Sequence, residues 1–406
     1  MVLDTQDDTT VAKRDRVTNV SVVILCRVCQ ALLMGAVALF LPLIRRDLGL
    51  SFTQGGALSA LTILTYALMQ VPAGFMTDRF GPKRLFFMGV LGTTVLFFTF
   101  GLVQEYWQAL VNQSLAGIFR AFLFVPGLAL LSGWFPSRLR STAMSLSLIG
   151  GLVGTVVLDI VGPLLVAEHG WRFPFLSFAS VGIVASFILL RFGKDPPSGR
   201  EQQKVSVREI LQLFRHRVMW VCGFLQYIRL AIVQGTAFWL PSLLIDEKGL
   251  SLQLTGLLIA LRAGLMAPSS VVGGYISDRL KNPALVIGFA LTVLAITSSQ
   301  FVATNNLTAL IVLIGINAIF VQMYFGPLFS VPMEMLGTRT AGISRGVSNL
   351  FANIGSFSFV YLMGVLKDAT GSFEAGFYTI AGVCVIGAVL SIVLARIRHK
   401  AIVSTG

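Results

Sequence analysis

Three arginines stand deep inside apolar stretches that are each long enough to cross a bilayer. Arg120 lies in "LAGIFRAFLFVPGLAL", and Arg229 and Arg262 lie in two later stretches. Each is about ten to twelve residues into its stretch, which is roughly 15 to 18 Å deep at 1.5 Å per helical residue. A charge at that depth costs about 2.5 to 3.5 kcal/mol on insertion scales, so it indicates a functional site.

The chemistry available to these arginines is the binding of an anion. A guanidinium is planar, always charged and presents paired donors that match carboxylate or phosphate oxygens. The deep acid in the sequence is Asp159, toward the outer end of its stretch, so the positive charges outnumber it. This surplus predicts a cavity for a carboxylate, phosphonate or phosphate group. The alternative for Arg229 and Arg262 is that they only bridge helices or extend their charge to the membrane surface. This interpretation is favoured for Arg27 and Arg345, which lie closer to the cytoplasmic surface.

Polar residues repeat at helical spacing beside the arginines. Residues three, four or seven apart share a helix face, and several of these stripes should line one water-filled cavity. The residues predicted to read hydroxyl or carbonyl groups of the ligand are Gln113, Gln226, Asn317, Tyr324, Asn349 and Asn353. Asp159 is the predicted carboxylate for coupling to a proton or sodium ion. No cofactor or metal is expected, since the three histidines fall outside the apolar stretches.

Composition indicates what must position these residues. Hydrophobic residues make up 55% of the chain and charged residues 12%, and the mean hydropathy is +0.82; a globular protein has about a quarter charged residues. The chain is predicted to be an all-α integral membrane protein. Twelve windows have the length of about 20 residues that a spanning helix needs: 20–44, 52–77, 85–104, 108–131, 142–166, 172–192, 218–243, 252–276, 283–302, 307–334, 342–365 and 372–395.

Lysine and arginine predict the orientation, because short cytoplasmic loops carry the excess of these residues. If both termini, 1–19 and 396–406, are cytoplasmic, most of the 31 basic residues lie in cytoplasmic segments. The net charge of +13 then reflects topology in a lipid bilayer and implies no nucleic-acid partner. A plasma membrane location, such as a bacterial inner membrane, is expected, with the first window retained as a span.

The sequence divides into two halves of six spans. A polar segment, 193–217, separates predicted bundles over 20–192 and 218–395, and an amphipathic pattern inside it predicts a short helix near Val207–Phe214. An internal repeat supports the division, because Gly74 returns as Gly274, an offset of 200 residues (274 − 74). Parallel six-span repeats are typical of one transporter architecture, with the substrate site near the midplane.

The loop "GFMTDRFGPKR" resembles the signature of the major facilitator superfamily, and "GGYISDRLKNP" is a degenerate copy of it in the second half. The resemblance implies a fold of two pseudo-symmetric six-helix bundles. It also implies a conformational latch on the cytoplasmic side, formed by Gly74, Asp78, Arg79, Gly81, Lys83, Arg84, Asp278 and Arg279. Gly74 is predicted to let two helices approach closely.

Within that superfamily the chain is similar to the organic-anion:cation symporter branch. "YALMQVPAGFMTDRFGPKR", "GWFPSRLRSTAMSL" and "GVSNLFANIGSFSFVYLMGVLKDATGSFEAGF" carry this resemblance. The chain departs from the branch in two places. "LLMGAVALFLPL" lacks the usual arginine of the first span, and Arg120 lies near the position of a glutamate common in the fourth.

These observations predict a secondary active transporter, not an enzyme, that takes up a small organic anion by alternating access and works as a monomer. There is no phosphate-binding P-loop, and "CRVC" at 26–29 is interpreted as packing. One alternative is a drug or metabolite exporter, favoured by 31 phenylalanines and by "GGLVGTVVLDIVGP" but opposed by the few buried acids. The other is a membrane sensor, for which a soluble output domain is missing.

Overall fold

The computed structural model describes residues 4–132, 134–135, 140–195, 216–336 and 341–405 of the chain. Side chains are described over the same ranges, apart from those of residues 4–13, 132, 140–148, 333, 336, 341–343, 345 and 399–405. The predicted amphipathic helix of the linker and the side chain of Arg345 therefore lie outside the described residues.

The described chain is almost entirely helical. The helices are Asp4–Leu48, Phe52–Phe80, Pro82–Phe100, Tyr106–Ser132, Arg140–His169, Arg172–Phe192, Arg217–Ser242, Leu252–Leu280, Pro283–Ala303, Leu307–Met323, Phe325–Leu336, Ala341–Thr370 and Glu374–Thr405. They provide twelve stretches long and apolar enough to cross a membrane. The prediction of an all-α protein with twelve spans is confirmed.

The tenth span differs from the single helix predicted over 307–334. One helix ends at Met323, Tyr324 has φ −93° and ψ 7°, and a new helix starts at Phe325. Pro327 explains the break, because proline lacks an N–H and its ring clashes with the carbonyl four residues earlier, which is that of Met323. The break therefore leaves the Met323 carbonyl without its helical partner in the middle of the span.

The internal repeat is visible in the helix bounds. The second and eighth spans, Phe52–Phe80 and Leu252–Leu280, are both 29 residues long and start and end 200 positions apart. Both helices are followed by a residue with a positive φ angle, which is 85° at Gly81 and 51° at Lys281. The ψ angles differ, at 149° and 22°, so the two turns share only the positive φ.

The chain divides into two compact units. Unit 1 consists of Met1–Ile44 and Leu61–Gln202, and unit 2 consists of Arg45–Ala60 and Gln203–Gly406. The short connection between the first two helices, together with the ends of those helices, thus belongs to unit 2.

In unit 1, glycine brings the fourth span against the second. A Cβ atom at Gly117 would lie 2.0 Å from the hydroxyl of Thr65 and 2.3 Å from the carbonyl of Thr62, so no larger residue fits. Cys26 and Cys29 are free and buried in a core cluster with Phe86. The "CRVC" motif therefore packs in the interior of the unit.

In unit 2, the segment Arg45–Ala60 is held by aromatic and ionic contacts. The ring of Phe52 lies 6.0 Å from that of Trp239 and 5.4 Å from that of Phe373. Arg46 forms an ion pair with Asp246 at 2.8 Å in the π-helical turn after the seventh span. These contacts fix the start of the second helix on unit 2.

Candidate functional site

A pocket of about 40 Å³ lies inside unit 1 and contains Arg120. One water molecule needs about 10 to 15 Å³ of such a cavity, so the pocket has room for a few waters or for one carboxylate-sized group. The first, third and fourth spans provide its walls. The lining residues are Gln30, Leu33, Met34, Val37, Thr93, Phe97, Asn112, Gln113, Ala116, Arg120 and Leu123.

Arg120 is half-buried in this pocket. The close approach at Gly117, one helical turn earlier, brings the fourth span to the second span near Tyr66. Tyr66 interacts with Arg120 electrostatically. Among the side chains that the structure describes, Arg120 has no ion pair and no hydrogen bond. Its charge is therefore available to a bound anion.

The wall of the pocket contains two neighbouring amides that hydrogen-bond to the protein. Asn112 donates to the carbonyl of Leu96 at 2.8 Å and accepts from Nε2 of Gln113 at 3.3 Å. Oε1 of Gln113 accepts from the hydroxyl of Thr62 at 3.1 Å. Gln113 thus lines the same pocket as Arg120, and its amide already joins the second and fourth spans.

Gln30 is a pocket residue that the sequence analysis missed. Its side chain is 2% exposed, and its Oε1 accepts a hydrogen bond from Nη1 of Arg27 at 3.2 Å. Its Nε2 has no hydrogen-bond partner within the described part of the chain. The spacing of Arg27 and Gln30, three residues apart on one helix face, was the available signal.

Arg229 occupies a different environment, in unit 2. Its Nη2 donates to Oε1 of Gln322 at 3.0 Å, and its guanidinium lies 4.4 Å from the centre of the Phe325 ring. Tyr324 also interacts with it electrostatically. These three partners flank the break in the tenth span. They are all neutral, and the described residues provide no acid to Arg229.

Several other predicted residues of unit 2 are buried. In the eighth span, the predicted Arg262 is buried together with two polar residues seven positions before and after it, Thr255 and Ser269. Gln226 is 1% exposed, and neither atom of its amide meets a partner among the described residues. Nδ2 of Asn317 donates to the hydroxyl of Thr297 at 3.1 Å, which joins the tenth span to the ninth.

Two of the remaining candidates, Asn349 and Asn353, are less enclosed. Asn349 is exposed, and Asn353 donates to the backbone carbonyl of Asn349 in its own helix at 2.8 Å. Asp159, the predicted coupling carboxylate, is 3% exposed and lies in unit 1. No group of three or more histidine, cysteine or acidic residues that could hold a metal occurs in the described ranges.

The aspartate–arginine pairs of the loop signature lie at the exposed ends of the second and eighth helices. Asp78, Arg79, Asp278 and Arg279 are exposed, and the backbone N–H of Lys83 donates to Asp195 at 3.0 Å within unit 1. The close helix approach expected at Gly74 is not found, because no described atom lies within 4 Å of a Cβ built there. The repeat shows a close approach at Gly273 instead, where a Cβ would lie 1.7 Å from the Met323 carbonyl.

Comparison with known proteins identifies the family of this fold. The model of the Major Facilitator Superfamily matches residues 23–360. The chain belongs to the Major Facilitator Superfamily. As a member of this superfamily it is a multi-pass membrane transporter, and the family predicted from the loop signature is confirmed.

Relatives of this superfamily member extend over most of its length. The probable sulfoacetate transporter SauU of Cupriavidus necator is 25% identical over 377 residues, which are 86% of this chain and 87% of SauU. The probable galactarate/D-glucarate transporter GudP of Escherichia coli is 26% identical over 394 residues, 85% of each chain. Both are named for organic acids.

A solved structure shares the fold. A bacterial homolog of the human lysosomal transporter Spinster, in an inward-facing and occupied conformation, superimposes with a TM-score of 0.77. The match covers 94% of this chain and 96% of that one at 16% sequence identity. The prediction of the major facilitator fold is confirmed by this likeness.

Proposed function

We propose that the chain transports a small organic acid anion by alternating access, and that Arg120 binds the acidic group of that anion. The substrate class comprises carboxylates, sugar acids and sulfonated or phosphorylated metabolites. The observation that carries the proposal is the position of Arg120, half-buried in a small pocket of mixed polar and apolar lining, without an ion-pair partner in the described part of unit 1. A buried charge needs a partner, and an anionic substrate provides one.

The composition of the pocket supports an anion rather than a cation. Its polar side chains are Gln30, Thr93, Asn112 and Gln113, all neutral, and Arg120 is its charged group. A cationic drug would meet a positive charge there, which opposes the exporter alternative. The names of the relatives, which refer to sulfoacetate, galactarate and D-glucarate, agree with this substrate class.

The cellular setting of the proposal follows from the charge pattern of the loops. The chain is proposed to be a monomer in the plasma membrane, such as a bacterial inner membrane, with both termini in the cytoplasm.

Asp78 and the basic residues around it are proposed to form a latch that breaks during the transport cycle. Uptake is proposed to be driven by a proton or sodium gradient, with Asp159 as the candidate carboxylate for coupling.

Binding to purified protein tests the role of Arg120. D-Glucarate, galactarate and sulfoacetate should raise the thermal unfolding temperature, because a ligand that binds only the folded form stabilises it. Arg120→Ala should lose about 2 to 5 kcal/mol of affinity if the ion pair is desolvated. Arg120→Lys should retain weak binding, since lysine keeps the charge but lacks the planar fork.

Two results would contradict the proposal. If Arg120→Ala binds and transports the acids like the unmodified protein, Arg120 is not their anchor. If drug-like cations stabilise the protein and no organic acid does, the exporter alternative is correct. Arg191→Ala is a suitable control, because it removes an equal charge from an exposed position at the end of the sixth span.

Transport in proteoliposomes tests the energy source. Accumulation of D-glucarate against its gradient should collapse when a protonophore is added or when sodium is removed. Asp159→Asn should then abolish accumulation but leave exchange of internal for external substrate. Uphill uptake that persists under both treatments would exclude cation symport and favour exchange.

A further inference from the structure

The polar side chains of the Arg120 pocket differ in whether they already have hydrogen-bond partners within the protein. The amides of Asn112 and Gln113 bond to each other and to neighbouring helices, and each of their oxygens accepts a hydrogen bond. The hydroxyl of Thr93 donates to the carbonyl of Gly89 in its own helix at 2.7 Å. These three side chains are held in place by the protein and form fixed walls.

Gln30 is held on one side only. Its oxygen faces Arg27, and because a guanidinium can only donate hydrogen bonds, the amide oxygen must be the atom that faces it. This fixes the orientation of the amide and turns its NH₂ group away from Arg27. Gln30 is 2% exposed and is one of the residues that line the pocket, and its Nε2 lacks a partner among the described residues.

The spare hydrogen-bonding capacity of the pocket therefore consists mainly of donors. Gln30 contributes an amide NH₂, and Arg120 contributes a guanidinium that has no acceptor in the described structure. A buried donor left without an acceptor is destabilising, so the group that fills the pocket must accept several hydrogen bonds at once. A deprotonated carboxylate or sulfonate does so, whereas an amide or ammonium group brings its own N–H donors.

We propose that Gln30 is a specificity-determining residue, oriented by Arg27, which donates to the deprotonated oxyanion end of the substrate together with Arg120. This inference rests on the proposed function and names the group that the pocket selects. Arg27 is a positioning residue in this arrangement, because it acts through the amide of Gln30. With these two donors the pocket selects substrates whose terminal group contains only hydrogen-bond acceptors.

The test is to replace the donor and keep the contact with Arg27. In Gln30→Glu one carboxylate oxygen still accepts from Arg27, while the NH₂ group is replaced by a second acceptor. Hydrogen bonds to charged groups are worth about 1.5 to 3 kcal/mol, so the affinity for D-glucarate and sulfoacetate should fall about 10- to 100-fold. The neutral diamide of D-glucaric acid, which carries N–H donors, should bind this variant better than it binds the unmodified protein.

Two further variants complete the experiment. Gln104→Glu adds the same charge at an exposed position and should change neither affinity. Gln30→Met removes the donor without adding a charge and should also lower the affinity for D-glucarate. This variant replaces Gln30→Glu in the experiment if Gln30→Glu does not fold. The decisive quantity is the ratio of the affinities for D-glucarate and for its diamide, which a purely structural residue would leave unchanged.

The outcomes separate this inference from the function on which it rests. If the unmodified protein binds D-glucarate or sulfoacetate and both Gln30 variants bind it with the same affinity and the same preference over the diamide, the role of Gln30 is refuted and the transport proposal stands. If the unmodified protein binds no organic acid at all, the proposed function fails and the inference fails with it.

Discussion

The carboxylate of Asp368 accepts a hydrogen bond from the backbone N–H of Phe52 at 2.9 Å, and its other oxygen accepts from Thr53 at 2.7 Å. Phe52 and Thr53 begin the second helix, and the first N–H groups of a helix have no partner within it. Ser51 completes the cap by accepting from the N–H of Gln54 at 3.1 Å. A residue at the end of the eleventh span thus closes the start of the second helix.

Removing this cap should destabilise unit 2. Asp368→Ala should cost about 0.5 to 2 kcal/mol, the range measured for helix caps. Amide hydrogen exchange at Phe52 and Thr53 should accelerate, because their N–H groups lose the acceptor. Thermal unfolding in detergent and exchange mass spectrometry measure the two effects. Glu168→Gln, which removes a negative charge from an exposed side chain, is the control, and unchanged exchange in Asp368→Ala would contradict the prediction.

A second contact near the same segment is a buried ion pair. Nζ of Lys367 donates to Oε1 of Glu247 at 2.5 Å and to the carbonyl of Gly371 at 2.7 Å. The ammonium also lies 5.3 Å from the centre of the Phe52 ring. The lysine side chain is 9% exposed and the glutamate side chain 22%. Solvent therefore screens this pair weakly.

Breaking that pair from one side should be costly. Lys367→Met should destabilise the protein by about 2 to 4 kcal/mol, because it leaves the carboxylate of Glu247 largely buried without its partner. Adding Glu247→Gln should recover part of the loss, and the double-mutant cycle gives the coupling energy. Lys194→Met removes the exposed ion pair with Asp15, and this should lower the stability by no more than about 1 kcal/mol. Equal losses for the two lysines would contradict the prediction.

Adjacent glycines in the eighth span should respond in opposite ways to alanine. A Cβ at Gly273 would lie 1.7 Å from the Met323 carbonyl, whereas a Cβ at Gly274 would meet no described atom within 4 Å. Gly273→Ala must therefore push the eighth and tenth spans apart and should cost at least about 2 kcal/mol. Gly274→Ala should be neutral or gain about 0.5 to 1 kcal/mol from helix propensity. Thermal unfolding of both variants measures the difference, and similar stabilities would show that the break in the tenth span is not packed against Gly273.

The sequence predicts the number of spans, the repeat and the deep arginines because these depend on composition, spacing and length. It does not predict which glycine of the pair Gly273–Gly274 contacts a neighbour. That choice depends on the rotation of the helix about its axis, which the tertiary packing sets. For the same reason Gly74 was a wrong position for the close approach.

The residues of the Arg120 pocket were also only partly predictable from the sequence. Arg120 and Gln113 were predictable from their spacing on the fourth span. Gln30 was not identified, because its role depends on which atom of its amide faces Arg27 and on the other spans that enclose it. The break at Tyr324 had a local signal in Pro327, but an apolar window of about 20 residues favours one continuous span.

Gln322 provides a test of whether Arg229 also binds the substrate. Oε1 of Gln322 accepts from Nη2 of Arg229 at 3.0 Å at the break in the tenth span. Gln322→Glu places a carboxylate at that position, and a charge-assisted hydrogen bond is roughly twice as strong as a neutral one. The protein without ligand should therefore become more stable, while the charge of Arg229 is neutralised.

If Arg229 attracts the anion, Gln322→Glu should weaken binding of D-glucarate by at least about tenfold, which is about 1.4 kcal/mol. Gln300→Glu, at an exposed position of the ninth span, adds the same charge and should leave binding unchanged. Thermal unfolding with and without D-glucarate measures stability and affinity on the same samples. A Gln322→Glu protein that is more stable and still binds D-glucarate at full affinity would show that Arg229 joins the seventh span to the tenth and does not contact the substrate, which is the bridging role that the sequence left open for it.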